Sequence, residues 1–152
     1  MTICRFVALL AAQAAALTHS IAGMETTYEV LTEGAETART VTPGTTVTVH
    51  ATGAIAETGK KFWSTKDEPV QPFKYRAGLG GVIAGWDQGC LGMRVGEVRR
   101  LTIPAKEGYG EKGLEAWGIP PDGTLHFEIE VLEVLDPKPP KYTQKRKVQL
   151  EL

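Results

Sequence analysis

Two segments of the sequence alternate strictly between apolar and polar side chains, which is the pattern of a strand with one buried face. They are residues 45–53 and 124–134. The second segment is the more regular and is expected to lie centrally in an antiparallel sheet. The apolar phase of the two segments comprises Val47, Val49, Ala51, Leu125, Phe127, Ile129 and Val131. His50 falls in the polar phase, which favours a structural histidine over a catalytic one.

Four shorter segments have the composition of strands and are separated by Gly-rich and Pro-rich turns; they are residues 27–31, 60–65, 72–76 and 97–103. In the last of these, Arg99 shares the phase of the apolar residues Leu101 and Ile103. We therefore expect a strand end or a bulge to place Arg99 at the rim of the sheet. Residues 104–123 form a long loop rich in Gly and Pro, and loops of this length inside compact domains are usually functional.

One short segment, residues 82–89, has the apolar content and the flanking glycines of a helix of about two turns. Since the pattern provides no second helix for it to pack on, its apolar stripe is expected to bury against the concave face of the sheet. Trp86 would then form the floor of any cavity that the sheet encloses. The alternative is that Trp86 only fills the core. Together these elements predict an α+β domain of about 110 residues.

Composition and charge exclude several classes of function. The 17 Lys and Arg residues nearly balance the 18 Asp and Glu residues, so no field is strong enough to favour binding of nucleic acid. Two cysteines, Cys4 and Cys90, and three histidines provide neither a disulfide framework nor the spacing of a metal site. We therefore expect no metal, and the partner must be inferred from the site.

The first residues have the features of a signal peptide. Arg5 precedes an apolar run over residues 6–17, which is too short to span a bilayer. Ser20 and Ala22 are small residues that suit cleavage after Ala22. This pattern predicts the secretory pathway, in the ER lumen or outside the cell, with no membrane span. If translation instead starts at Met24, the protein is cytoplasmic.

The chain accordingly divides into three parts. Residues 1–22 are the expected signal peptide, residues 24–136 the folded domain, and residues 137–152 a basic tail that is expected to be disordered. The Asp136-Pro137 step marks the end of the domain because proline cannot continue a central strand.

Eight short motifs follow one another between Val49 and Pro121, within a resemblance that runs from about Thr27 to Leu135. They are Val49-His50-Ala51-Thr52-Gly53, Gly59-Lys60-Lys61-Phe62, Pro72-Phe73-Lys74-Tyr75, Val82-Ile83-Ala84-Gly85-Trp86-Asp87, Met93-Arg94-Val95-Gly96-Glu97, Leu101-Thr102-Ile103-Pro104, Gly108-Tyr109-Gly110 and Ile119-Pro120-Pro121. In order and spacing they resemble the FKBP-type peptidyl-prolyl cis-trans isomerases, and eight collinear motifs are far more specific than one. The resemblance implies a strongly bent antiparallel sheet, a half-barrel, wrapped around one short helix.

The resemblance also implies a pocket for a proline ring. Carried over by position, the pocket residues are Phe62, Phe73, Val82, Ile83, Trp86, Tyr109, Ile119 and Phe127. Trp86 would be the floor and Phe73 a wall, while the Ile83 amide and the Tyr109 hydroxyl would donate hydrogen bonds to a carbonyl. The implied function is catalysis of rotation about X–Pro bonds in protein folding, which needs no nucleophile and no cofactor.

Two positions depart from the family pattern. Ala51 stands where the family usually has Tyr, and Trp63 stands where it usually has Asp, so both polar groups at the edge of the pocket are absent. The exchange is volume-compensating if the indole of Trp63 fills the space of the missing phenol. The expected pocket is then more apolar than the family's, with Ala51 and Trp63 at its edge.

Proline-containing polypeptides are the partners that the resemblance implies, with macrolide immunosuppressants as further ligands, and we expect a monomer. The two departures leave open whether turnover is efficient and macrolide binding tight. The alternative function is a proline-directed binding module, with weak or no catalysis, in which the pocket and the 104–123 loop hold a partner. The aromatic residues of the implied pocket are present, which favours the isomerase; they are Phe73, Trp86, Tyr109 and Phe127.

Overall fold

The structure is a computed structural model that describes residues 16–137. Within this range the chain forms seven strands and one short α-helix. In chain order they are β1 (Thr18–Ser20), β2 (Thr27–Thr32), β3 (Thr46–Ile55), β4 (Lys61–Ser64), β5 (Phe73–Arg76), α1 (Ala84–Gly89), β6 (Val98–Ile103) and β7 (Leu125–Leu135). Every strand expected from the sequence is present, and β1 is an additional one.

The strands build one antiparallel sheet in the order β1-β2-β6-β7-β3-β4, with β5 paired to β3 alongside β4. Strand β7 lies between β3 and β6, which confirms its predicted central place. The pairing register shifts at three points, in β2, between Thr48 and Val49, and between Gly53 and Ala54. Bulges of this kind bend a sheet. The predicted fold class, an open antiparallel sheet with one short helix, is confirmed.

The inward face of the sheet is the predicted apolar phase. Its members are at most 2% exposed; they are Val47, Val49, Ala51, Leu125, Phe127, Ile129 and Val131. Helix α1 approaches this face closely because its sheet-facing residues are glycines. A Cβ atom added at Gly85 would lie 2.5 Å from Ile103 Cγ2, and one at Gly89 would lie 2.9 Å from the Leu101 methyl groups. The two glycines thus let the helix lie directly on β6.

Arg99 does not lie at the rim, so the sequence-based expectation for it was wrong. Its side chain is buried, and Arg99 Nε donates to Glu97 Oε1 over 2.5 Å. Arg99 Nη1 donates to the carbonyl oxygens of Gly89 and Leu91 at 3.0 and 3.1 Å, and the guanidinium lies 4.1 Å from the centre of the Tyr28 ring. A buried charge is tolerated only when it is paired and hydrogen-bonded. The pair ties the end of α1 to β6.

The long loop between β6 and β7 is built from three single 3₁₀ turns, Ala105–Glu107, Gly110–Lys112 and Glu115–Trp117. Its last part is closed by two backbone hydrogen bonds of 3.0 Å between Leu114 and Ile119. Gly118 allows this closure because it takes the left-handed conformation, with φ of 68°. The tight turn at residues 114–119 therefore fixes the position of Trp117.

The N-terminal strand bears on the predicted signal peptide. Strand β1 pairs antiparallel with β2, and His19 stacks on Tyr28 with ring centroids 4.9 Å apart. The expected cleavage after Ala22 would therefore separate β1 from the sheet. The apolar run over residues 6–17 lies mostly outside the described residues, as does nearly all of the basic tail, so both stay predictions.

The helices were also compared with the length and hydropathy of a membrane span. Among residues 16–137, none could cross a bilayer.

Candidate active site

A cavity of about 220 Å³ opens between the helix, the sheet and the long loop. It is lined by Trp63, Phe73, Gly81, Val82, Ile83, Trp86, Tyr109, Trp117 and Phe127. No charged side chain is among these lining residues. The polar side-chain groups of the lining are a phenol hydroxyl and indole N–H groups, so the cavity suits an apolar ring with a carbonyl beside it.

Trp86 forms the floor of this cavity and is 4% exposed. Its indole is surrounded by aromatic rings, most of them in edge-to-face contact. The centroid distances are 4.9 Å to Phe127, 5.8 Å to Phe73 and 6.0 Å to Tyr75. Such pairs contribute about 0.5–1.5 kcal/mol each beyond the burial of area, so these contacts stabilise the indole in its position. Trp86, which is expected to form the base of a proline pocket, is thus brought to the cavity; its role in binding proline stays a prediction.

Ile83 lies at the N-terminal end of α1, where its backbone is extended, with φ of −55° and ψ of 148°. The first amides of a helix have no intrahelical acceptor. The Ile83 amide has no acceptor within the helix, and Ile83 lines the cavity. Helix α1 itself begins at Ala84, and Asp87 N donates to Ile83 O at 3.0 Å.

Asp87 holds the segment that leads into the helix. Its buried carboxylate accepts hydrogen bonds from the Gly78 and Gly80 amides at 2.8 and 2.9 Å. These contacts fix the turn that carries Gly81 and Val82 into the cavity wall. The motif containing Asp87 was recognised in the sequence, but this positioning role was not.

Tyr109 follows the first 3₁₀ turn of the long loop and is half-buried at the cavity. Burial raises the pKa of the Tyr109 hydroxyl above its ordinary value of 10.0. The hydroxyl therefore stays protonated at neutral pH and can act as a hydrogen-bond donor. Its ring meets that of Trp117 edge-on, with centroids 6.5 Å apart.

Trp117 is a cavity residue that the sequence analysis did not assign to the pocket. Its ring lies parallel to that of Trp63, with centroids 6.1 Å apart and planes inclined by 6°, and it also stacks on Phe62 at 6.1 Å. The sequence signal for Trp117 was a large aromatic residue in a Gly-rich and Pro-rich loop. A loop has no periodicity, so the sequence could not show that the Trp117 side chain points into the cavity.

Three predicted pocket residues do not line the cavity. Phe62 lies behind it and packs edge-on against Phe127 at 5.6 Å. Ile119 is 3% exposed and belongs to the core. Ala51 is 1% exposed, and its amide donates to Thr65 Oγ1 at 3.0 Å. The other seven predicted residues are brought together there; they are Trp63, Phe73, Val82, Ile83, Trp86, Tyr109 and Phe127.

The departures at positions 51 and 63 are not direct cross-strand partners. The register of β3 and β4 places Trp63 opposite Gly53. Thr65, just beyond β4, donates its amide to Ala51 O at 3.0 Å, which leaves Trp63 diagonal to Ala51. Trp63 instead contacts Phe73 and Trp86, at centroid distances of 6.1 and 6.2 Å. Its indole thus forms part of the cavity wall.

The described residues contain no group of three or more His, Cys, Asp or Glu side chains placed to hold a metal ion. An open antiparallel sheet around a short helix, with an aromatic cavity between them, defines a small α+β domain whose cavity has the shape and lining for an apolar ring. The sequence model of the FKBP-type peptidyl-prolyl cis-trans isomerases matches residues 37–132, more than half of the chain, and the protein belongs to this family.

Individual relatives agree with this assignment. The peptidyl-prolyl cis-trans isomerase FKBP12 of Arabidopsis thaliana is 53% identical over 94 residues, which are 60% of this chain and 84% of the relative. FK506-binding protein 2 of Emericella nidulans is 46% identical over 112 residues, 74% of this chain and 77% of the relative. The crystal structure of FkpA from Escherichia coli superposes with a TM-score of 0.64 at 32% identity, over 74% of this chain and 49% of that one.

Proposed function

We propose that this peptidyl-prolyl cis-trans isomerase accelerates rotation about X–Pro bonds in folding polypeptides by binding the proline ring in the cavity above Trp86. The observation that supports the proposal is that Ile83, at the N-terminal end of α1, and Tyr109 both line an uncharged aromatic cavity. In the proposal, the Ile83 amide and the Tyr109 hydroxyl donate hydrogen bonds to the carbonyl of the bound peptide. The reacting bond needs no acid, base or metal.

The chemistry follows from the resonance of the amide. Rotation about the bond has a barrier of about 18–20 kcal/mol because the planar ground state is stabilised by delocalisation. An apolar cavity disfavours the more polar planar amide relative to the twisted one, and the two donors can hold the carbonyl out of plane. Interactions that are stronger in the twisted state lower the barrier, as differential binding requires. The uncatalysed step takes roughly 10–100 s, so acceleration matters to folding.

A protease-coupled proline-peptide assay on two variants tests the proposal. Phe73→Ala removes a wall of the cavity and should lower both kcat/KM and stability. A fully buried Phe→Ala typically costs about 3–5 kcal/mol, and Phe73 is half-buried, so a smaller loss is expected. Tyr109→Phe removes one hydroxyl and should lower the rate while leaving the fold intact. A chain that binds proline peptides without accelerating isomerisation would be a binding module instead.

We further propose that the protein binds macrolides of the FK506 type and acts as a monomer. The first proposal is supported by the FK506-binding relatives and by the aromatic walls, Phe73 and Phe127, that a macrolide ring would contact. Titration with FK506, followed by the tryptophan fluorescence to which Trp63, Trp86 and Trp117 contribute, tests it, and no saturable change at micromolar ligand would contradict it. Sedimentation equilibrium tests the monomer.

The secretory location is also a proposal, supported by the apolar run over residues 6–17 after Arg5. Fusing residues 1–23 to a reporter tests it directly. Export with loss of these residues is expected. A reporter that stays in the cytosol, uncleaved, would favour initiation at Met24.

A further inference from the structure

The carboxylate of Glu107 joins two distant parts of the chain. Its Oε1 accepts the Glu25 amide at 2.8 Å, while Oε2 accepts the Thr26 amide at 2.8 Å and the Thr26 hydroxyl at 2.5 Å. Three donors from the segment before β2 thus converge on one side chain in the loop after β6. Although burial acts against ionisation, the hydrogen bonds from Thr26 and the Glu25 amide lower the pKa of Glu107 below its ordinary value.

Thr26 lies between this carboxylate and the helix. Its side chain is fully buried, and a Cβ atom added at Gly85 would lie 2.7 Å from Thr26 Oγ1. Thr26 is therefore in close contact with Gly85 in the first turn of α1, two residues after Ile83. On the other side, Glu107 is two residues from Tyr109. The Thr26–Glu107 contact therefore connects the loop that carries Tyr109 with the first turn of α1.

Besides the Glu107 carboxylate, the loop around Tyr109 is attached through the Gly110 carbonyl oxygen, which accepts the Asp122 amide at 3.2 Å, and through the Tyr109 ring, which packs against the core. Within the described residues, the backbone hydrogen bonds of Glu107 and Gly108 run to Pro104 and Ala105, inside the same 3₁₀ turn. The Tyr109 ring makes one aromatic contact, with Trp117 in the same loop. The distance between the Tyr109 hydroxyl and the helix consequently depends on how the turn is anchored.

We propose that Thr26 and Glu107 are positioning residues that set the place of the Tyr109 hydroxyl relative to the Ile83 amide. The inference rests on the proposed function of these two donors. A small misplacement of a catalytic group can cost orders of magnitude in rate, so a carboxylate that fixes the loop affects catalysis without touching the substrate. Neither residue was singled out by the sequence analysis.

Glu107→Gln tests the proposal in the full chain. The amide has nearly the shape of the carboxylate but only one acceptor oxygen, and its NH₂ group would face donors of the N-terminal segment. Thr26→Val removes the hydroxyl donor, and Thr26→Ser retains it. Lys106→Gln is the matched control, because Lys106 and Glu25 form an exposed ion pair between the same two segments.

Glu107→Gln and Thr26→Val are expected to lower kcat/KM about fivefold or more, measured where each variant is fully folded. Thr26→Ser and Lys106→Gln are expected to stay within about twofold of wild type. In a Tyr109→Phe background the effect of Glu107→Gln should fall below about twofold, because residues that act through one group are not additive. A purely structural role would give the same fold-change in both backgrounds and would overturn the proposal.

A second measurement separates this proposal from the proposed function. NMR of the Tyr109 ring and amide should show shifted or broadened resonances in Glu107→Gln and unchanged ones in Lys106→Gln. If Tyr109→Phe leaves kcat/KM unchanged, the catalytic role of the hydroxyl fails, while altered Tyr109 resonances still support positioning. Unchanged Tyr109 resonances in Glu107→Gln would overturn positioning whatever the rates.

Discussion

The indole of Trp63 lies parallel to that of Trp117, with ring centroids 6.1 Å apart and an interplanar angle of 6°. One residue belongs to β4 and the other to the loop between β6 and β7, and both line the cavity. Their contact closes the cavity on the side where an Asp usual to the family would have stood. A carboxylate could not form this stack, so the departure at position 63 and the orientation of Trp117 belong together.

The first prediction is energetic coupling between Trp63 and Trp117. Aromatic pairs contribute about 0.5–1.5 kcal/mol beyond burial, so the double Ala variant should be more stable than the sum of the single losses by about that amount. Urea denaturation of Trp63→Ala, Trp117→Ala and the double variant measures the coupling. Trp117→Phe is the control, since it keeps a stacking ring. Strictly additive losses would show that the stack contributes nothing to stability.

The second prediction concerns Ala51, which is 1% exposed and opposite Thr65. Ala51→Tyr should cost about 1–3 kcal/mol because the ring has no space in a packed core. Combining it with Trp63→Asp frees the diagonal neighbour and should recover about 0.5–3 kcal/mol relative to additivity. The double variant should also gain isomerase rate and macrolide affinity. An unchanged rate in a folded double variant would show that the missing polar pair does not limit this cavity.

The sequence predicted the strands well where one face is buried, because alternation is then dictated by the sheet itself. This holds for β3 and β7, whose inward residues are those expected. The prediction from alternation was wrong for Arg99, although Glu97 stands two residues earlier and hence on the same face of the strand. The alternation is equally compatible with two charges paired inside the core, as Glu97 and Arg99 are. Strand β1 was missed because its residues fall in the segment assigned to a signal peptide.

The candidate site was only partly predictable, for a different reason. Motif positions give the residues near a pocket, but the direction of a side chain depends on the register and on the loop path. Phe62 and Ile119 therefore lie outside the lining of the cavity, whereas a tight turn places Trp117 in that lining. Contacts between residues 81 apart in sequence, such as that of Thr26 with Glu107, leave no local pattern at all.

The third prediction is that the Cys90 thiol is inert in the folded protein. The side chain is fully buried, and burial raises its pKa to about 12, so the thiolate that reacts with electrophiles is scarcely populated at neutral pH. Iodoacetamide followed by mass spectrometry of the Cys90 peptide should show no modification under native conditions and full modification in denaturant. Labelling under native conditions at the rate seen in denaturant would show that the helix end opens readily.

The fourth prediction is a pH dependence of stability that arises from Glu107. Because its pKa is lowered in the folded state, Glu107 stabilises the protein above its ordinary pKa of 4.5, and this contribution is lost as the pH falls through the folded value. The difference in free energy of unfolding between wild type and Glu107→Gln should therefore be constant near neutral pH and shrink below about pH 4.5.

A direct titration completes this test. Carbon-13 NMR of the Glu107 carboxyl group should show its midpoint below 4.5 in wild type and closer to 4.5 in Thr26→Val, because the Thr26 hydroxyl is one of the groups that lower the pKa. Thr26→Ser retains the hydroxyl and is expected to keep the wild-type midpoint. A wild-type midpoint above 4.5 would mean that burial, which acts in the opposite direction, outweighs the three hydrogen bonds, and that the carboxylate is not held as the structure describes.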